Sequence, residues 1–212
     1  INRINEELLN QVIPLRHQGI LGDLFFRSRP TYWQRWLAKL PVKTPIGCPV
    51  HLEACIKALT ACEPFCFKDP RFCYTLPVWR RFTNKVVFLC VFRDPGITAH
   101  SLVKEAQRDC EFRNVKLHFE FQEALQVWEF MYRHIVEVHY PAGGDWLFFH
   151  YDQFLEGSAV KKVETSLGVT VNREFVDSSL SRSKNTKTVP QSLFLLYQKL
   201  CNLAEYNLSV SP

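Results

Sequence analysis

The sequence lacks an apolar stretch long enough to span a bilayer, about 18 residues or more, and it lacks internal repeats and any linker long enough to divide it. The first absence excludes a membrane-spanning helix within these residues. The others exclude a solenoid and leave one domain over residues 1–212 as the expectation. Paired C-x-x-C motifs are missing as well. Cys48, His51, Cys55, Cys62 and Cys66 therefore lack the spacing of a structural zinc site, and no metal is expected. A G-x-x-x-x-G-K-[ST] loop is not present either, so a nucleotide kinase on a related core would require one upstream of Ile1.

What is present is an ordinary globular composition. With 47% hydrophobic and 22% charged residues in 212, the chain can bury a sizeable core. Its net charge of +5 suits an anionic nucleotide or an acidic acceptor and does not demand nucleic acid. The eight cysteines are even in number, yet Cys90 lies inside an apolar run, and Cys55 and Cys62 are spaced to share one helix face. Reduced core thiols are the expected state rather than a disulfide framework.

Periodicity predicts helices over 5–13, within "TYWQRWLAKL" between Pro30 and Pro41, over 49–61, over about 115–139, within "GSAVKKVETSLG" closed by Gly168, and within "VPQSLFLLYQKLCNLAEY". The runs Lys85–Phe92 and "DWLFFHY" are unbroken and rich in β-branched and aromatic residues. They read as strands covered on both faces, and strands alternating with helices argue a parallel α/β sheet.

Two proline-stopped tetrads, KDPR at 68–71 and FRDP at 92–95, pose the functional question. In the second, Arg93 ends the strand, Asp94 reads as N-cap and Pro95 as the first helical residue of a helix reaching about Lys104. Ser101 follows Asp94 by about two turns, on nearly the same helix face. A guanidinium and a hydroxyl so placed can grip one phosphate at a helix N-terminus. Equally, Arg93 can pair with Asp94 or Asp109 and Ser101 be an ordinary helix serine. In the first tetrad Lys68 follows the short apolar run Phe65 to Phe67, read as another strand, and would reach the same rim with Arg71. On residue chemistry alone, Asp69 would instead cap the next helix and pair with Arg71, leaving Lys68 solvated.

The order "FKDPR", helix, "KVVFLCVFRDP", the serine at 101, "ALQVWEFMYRHIVEV", "WLFFHYDQFL" and "SLSRSKNTKT" resembles the sulfotransferases that use 3′-phosphoadenosine-5′-phosphosulfate (PAPS). The likeness spans roughly Phe65 to Tyr206. It implies a three-layer α/β fold, a sulfotransferase core related to P-loop NTPases, with a central parallel sheet. It also implies that Arg93 and Ser101 bind the cofactor's 3′-phosphate. The segment at Tyr151-Asp152 resembles the family's "YEDL", and Arg182, Lys184 and Lys187 its basic loop over the cofactor. Such enzymes open with a strand and a Ser/Thr/Gly-rich loop around the 5′-phosphosulfate, which we expect upstream of Ile1 in a chain that is N-terminally incomplete. Any signal or anchor would lie there too; without one, the expected location is cytoplasmic.

The resemblance thus implies sulfuryl transfer from PAPS to a hydroxyl of a carbohydrate or glycolipid, or of a tyrosine or small metabolite, leaving adenosine 3′,5′-bisphosphate (PAP). Lys68 would offset charge on the leaving oxygen. Glu6 or Glu7 are candidates for the base, with His51 behind them. Arg29, Tyr32, Trp33, Arg35, Trp36 and Arg71 are candidates for the acceptor site, although such aromatics also form the buried side of a helix. The alternative is a sulfotransferase-fold module that binds a nucleotide or glycan without turnover.

Overall fold

In the first helix, Ile4 and Leu8 stand one turn apart, and Asn5 and Leu9 form a second column beside them. All four are buried in the computed structural model, which describes residues 1–16, 19–175 and 188–208. Helix α1 (Asn2–Asn10) divides two apolar clusters. Ile4 and Leu8 pack with Leu52 and Ile56 of α3 (Val50–Thr60) and with Val78 and Trp79 of α4 (Phe72–Trp79). Leu9 packs with Ile13, Ala38, Leu40, Cys73 and Tyr74. Helix α2 (Ile20–Phe25) and a 3-10 turn, Tyr32–Leu37, complete this part of the chain. The turn is shorter than the helix expected between Pro30 and Pro41, because the chain becomes extended at Ala38, and Gln34 also leaves helical geometry within it.

Strand β1 (Val87–Phe92) pairs in parallel with β2 (Asp145–His150), in a register that sets Val87 opposite Asp145 and Phe92 opposite His150. The result is an α/β arrangement whose parallel sheet has two strands among the described residues. Phe65 to Phe67, read above as a strand, joins neither. Its rings instead stack on each other at 4.7 Å, and Phe67 meets Trp79 edge-on. Aromatic packing on a helix takes the place of a ladder there. Nor is β1 covered on both faces: Cys90 and Phe92 are buried while Leu89 and Val91 are exposed.

Helix α5 runs from Pro95 to Arg113, well beyond the expected end near Lys104. Asn114 stops it by adopting a left-handed φ of 51°, with the Val115 amide donating back to the Cys110 carbonyl. That stop also delays the next helix, α6 (Phe121–His134), whose capping box is built from Glu120 and Glu123. One wide π-type turn, Ile135–His139, ends it, closed by the Tyr140 amide on the Ile135 carbonyl. Helices α7 (Tyr151–Leu155), α8 (Ser158–Leu167) and α9 (Gln191–Leu203) follow β2. Gly168 closes α8 at φ 65°, as its place in the sequence predicts.

Contacts gather into two units. One comprises Ile1–Val86 and Leu102–Gly143; the other comprises Val87–Ser101 and the described part of Gly144–Pro212. We call them the helical unit and the sheet unit. All eight cysteines are unpaired.

The helical unit buries two histidines against backbone carbonyls, one in α4 and one in the chain after the 3-10 turn. The His139 ring Nε2 donates to the Cys73 carbonyl at 2.7 Å, and His134 Nε2 to the Leu40 carbonyl at 3.0 Å. Burial pushes His139 down to about 4 and lowers His134 as well. An unfolded histidine titrates near 6.5, so between that pH and about 4 the unfolded chain holds more protons and acid draws the equilibrium toward it. We expect stability to fall as pH drops from 6.5 to about 4, with His139 alone contributing on the order of 3 kcal/mol of the loss. Urea melts across this range, compared with His139→Gln, check it: the variant should show a shallower slope.

Candidate functional site

The in-register ladder brings both strands to an end at one edge of the sheet unit, and a helix starts from each end. After β1, Asp94 caps α5, its Oδ1 accepting the Ile97 amide at 2.8 Å while its carbonyl takes the Thr98 amide and hydroxyl. After β2, His150 caps α7: its Nδ1 accepts the Asp152 amide at 3.2 Å, and the Gln153 side chain returns to accept the His150 amide at 2.8 Å. A histidine thus fills the role that serine or aspartate usually takes.

Because Nδ1 accepts, the proton of a neutral His150 ring sits on Nε2, which donates to the Tyr197 hydroxyl oxygen at 2.9 Å. Cys201, one turn along α9, is the next side-chain partner of Tyr197. Tyr206 lies flat on the imidazole at 3.9 Å and donates its hydroxyl to Asp152 Oδ2 at 3.1 Å, while Phe92 meets the ring edge-on. Burial lowers the His150 pKa, opposed by Asp152 and Asp94 and aided by Arg93. Burial also raises Tyr197 far above the ordinary phenol range. The ring is therefore held neutral and oriented at the strand end.

Arg93 stands at this same edge, half-buried, with its guanidinium carbon 4.7 Å from the centre of the Tyr151 ring. Ser101 is half-buried two turns into α5 and donates its hydroxyl to the Ile97 carbonyl at 3.2 Å. To serve as donor to an anion, that hydroxyl must turn away from the helix. Arg182, Lys184 and Lys187 lie outside the described residues.

The remaining candidates belong to the helical unit. Lys68 is exposed, and Asp69 beside it is buried. Asp69 accepts the Arg71 fork through both oxygens, at 2.8 and 2.7 Å, together with the Arg71 amide. The third terminus of Arg71 reaches Glu6 Oε1 at 3.0 Å. Arg71 and Glu6, candidates for acceptor binding and base, are thus joined in one ion-pair network, and this pairing of Asp69 with Arg71 is what residue chemistry alone favoured. Glu7 meets the exposed His51 ring at 2.5 Å. Of the aromatic group, exposed Tyr32 carries the Arg35 guanidinium at 4.3 Å, half-buried Trp33 carries Arg113 at 4.7 Å, and Arg29 lies over Phe26. Arg35 itself is buried, donating to the Glu6 carbonyl and to Asn10 Oδ1. Trp36 is half-buried. Tyr32, Trp33 and Arg29 thus share a segment but have separate partners, and among the described residues no three His, Cys, Asp or Glu side chains gather as metal ligands, Cys48, Cys55, Cys62 and Cys66 included.

The residues that sequence reading missed are His150, Tyr197, Cys201 and Tyr206. One local signal existed, a histidine ending an apolar run with glutamine three residues on, the spacing of a capping box. No family profile, curated protein or solved structure matches the chain.

Two outcomes test this geometry. Asp69→Asn leaves the Arg71 fork without its full anionic partner in a buried place, and should cost about 3–5 kcal/mol. Glu6→Gln, whose carboxylate is partly exposed, should cost clearly less; guanidinium melts of both variants measure the difference. In the sheet unit, Tyr197→Phe strands the buried His150 N–H and should cost about 1–3 kcal/mol. The NMR signal of the His150 ring proton should then exchange with water faster than in the parent.

Proposed function

We propose that the chain is a PAPS-dependent sulfotransferase domain whose sheet unit binds the 3′-phosphate of the nucleotide through Arg93 and Ser101. The single observation that carries the reading is the position of Arg93: at the carboxyl end of β1, before the N-terminus of α5, and over the ring that begins α7. Carboxyl ends of parallel strands are where α/β sheets hold ligands. A guanidinium offers a phosphate two parallel donors, and the positive end of α5 adds to its field. Asp94 already takes the Ile97 amide, so side chains, more than first-turn amides, would hold the anion. The finer architecture, a three-layer core around a central sheet, belongs to the same proposal.

The chemistry is in-line displacement. An acceptor hydroxyl oxygen forms a bond to sulfur as the bond from sulfur to the bridging phosphate oxygen breaks; the acceptor proton passes to a base and PAP leaves with the new negative charge. Positioning and electrostatic stabilisation supply most of the acceleration in such transfers. A carbohydrate or glycolipid hydroxyl is the acceptor class we favour. A non-catalytic nucleotide- or glycan-binding module is the second reading. It is favoured by the pairing of Glu6 with Arg71 and of Glu7 with His51, which engages both carboxylates considered as bases.

PAP should raise the melting temperature of the chain, since a ligand bound only by the folded state stabilises it by about 2.7 kcal/mol at a hundred times its Kd. Arg93→Ala should abolish most of that shift and Ser101→Ala a smaller part, because a paired charge-assisted contact outweighs one hydroxyl bond. Equal shifts in the parent and Arg93→Ala would remove the site. Transfer of radiolabelled sulfate from PAPS to a glycan pool separates the enzyme from the module.

A further inference from the structure

Helix α2 is amphipathic the wrong way round. Its apolar side chains Ile20, Leu21, Leu24 and Phe25 occupy one arc, in two columns one turn apart, and they are 79%, 66%, 60% and 72% exposed. Gly22 on the opposite side is buried. The helix therefore rests on the protein through a residue without a side chain and turns its apolar arc to solvent, the reverse of a core-facing helix. The base of the excursion is pinned, since the Arg16 amide donates to the Pro30 carbonyl at 3.2 Å and the His118 amide to the Arg27 carbonyl at 2.9 Å.

Phe112, 86% exposed, sits in the last turns of α5, where Gln34 bonds Cys110 and Arg113 covers Trp33. Cations border the apolar residues in sequence and through these ties: Arg27, Arg29, Arg113 and Lys116, against the acids Asp23 and Glu111. Arg27, Arg113 and Lys116 are exposed. Each of these residues belongs to the helical unit.

We infer that α2, with Phe112 and the cations beside it, docks the chain on the surface of an anionic phospholipid bilayer. The aliphatic and phenyl groups that α2 carries on one arc enter the acyl boundary, while guanidinium groups flanking them meet lipid phosphates and anionic headgroups at the level above. Charge complementarity selects this occupant: a six-residue apolar helix holds weakly to a neutral bilayer, and arginines at its edge make attachment depend on lipid charge. Among the described residues no helix is long and apolar enough to cross a membrane, so the attachment is to one leaflet. It does not rest on the reading of Arg93 and Ser101.

The test is density-gradient flotation of the full chain with vesicles of phosphatidylcholine alone or mixed with phosphatidylserine, at low and high salt. Flotation separates bound protein from aggregates, which do not rise. The chain should rise with the mixed vesicles, about tenfold less with neutral ones, and less as salt increases. Leu21→Ser combined with Phe25→Ser should abolish flotation without moving the melting temperature, because both side chains are exposed; Leu24→Ser alone should weaken it. Arg27→Glu should lower binding to the mixed vesicles by about tenfold and leave the neutral-vesicle background unchanged. Absence of flotation, or equal flotation of parent and double variant, overturns the inference. So does a self-associated parent that fails to float and that the double variant converts to monomer, since the apolar arc would then cover a second copy.

Discussion

The sheet unit depends on one constraint, the pairing of β1 and β2 with no stagger at their carboxyl ends. Because Phe92 lies opposite His150, the two chain segments leave the ladder together and each must satisfy a helix start at the same place. Asp94 does so with a carboxylate and His150 with an imidazole. A slip of one residue would turn the alternate side chains over and carry His150 away from Tyr197. The arrangement of Arg93, Tyr151 and the histidine cluster thus follows from register.

The two tetrads show how similar letters acquire different meanings. In KDPR the aspartate is buried and takes the arginine two residues on, so both charges are consumed locally and Glu6 completes the set. In FRDP the aspartate turns to the amide of Ile97, and the arginine that precedes it lies over an aromatic ring instead. What separates them is which side of the proline the arginine occupies. After it, the guanidinium folds back onto the carboxylate; before it, the guanidinium stays at the strand end.

Much of the fold was legible because it is local. The apolar runs at 87–92 and 145–150 announced strands, Pro95 behind Asp94 announced a helix start, and Gly168 a helix end. The length of α5 was not legible, since its stop depends on Asn114 accepting a left-handed backbone that other residues also visit. The run Phe65 to Phe67 misled because aromatic residues suit a strand and the flank of a helix equally. For the candidate site, Arg93 and Ser101 could be chosen from spacing, whereas the pairing of Glu6 with Arg71 crosses 65 residues and that of His150 with Tyr197 crosses 47. No periodicity encodes contacts at such separations; they appear once packing has brought the elements together.

The unpaired thiols run from buried to exposed, with Cys48 and Cys110 between. Burial pushes Cys90 up to about 12 and Cys201 up to about 11, so near neutrality the nucleophilic thiolate is scarce at both, and Cys73 is buried as well. Cys55, Cys62 and Cys66 stand exposed along the end of α3 and the loop after it. Air oxidation and alkylating reagents will therefore reach these three thiols first. These thiols are a natural place to attach a fluorophore or a spin label, and they are where ageing preparations will first acquire covalent dimers.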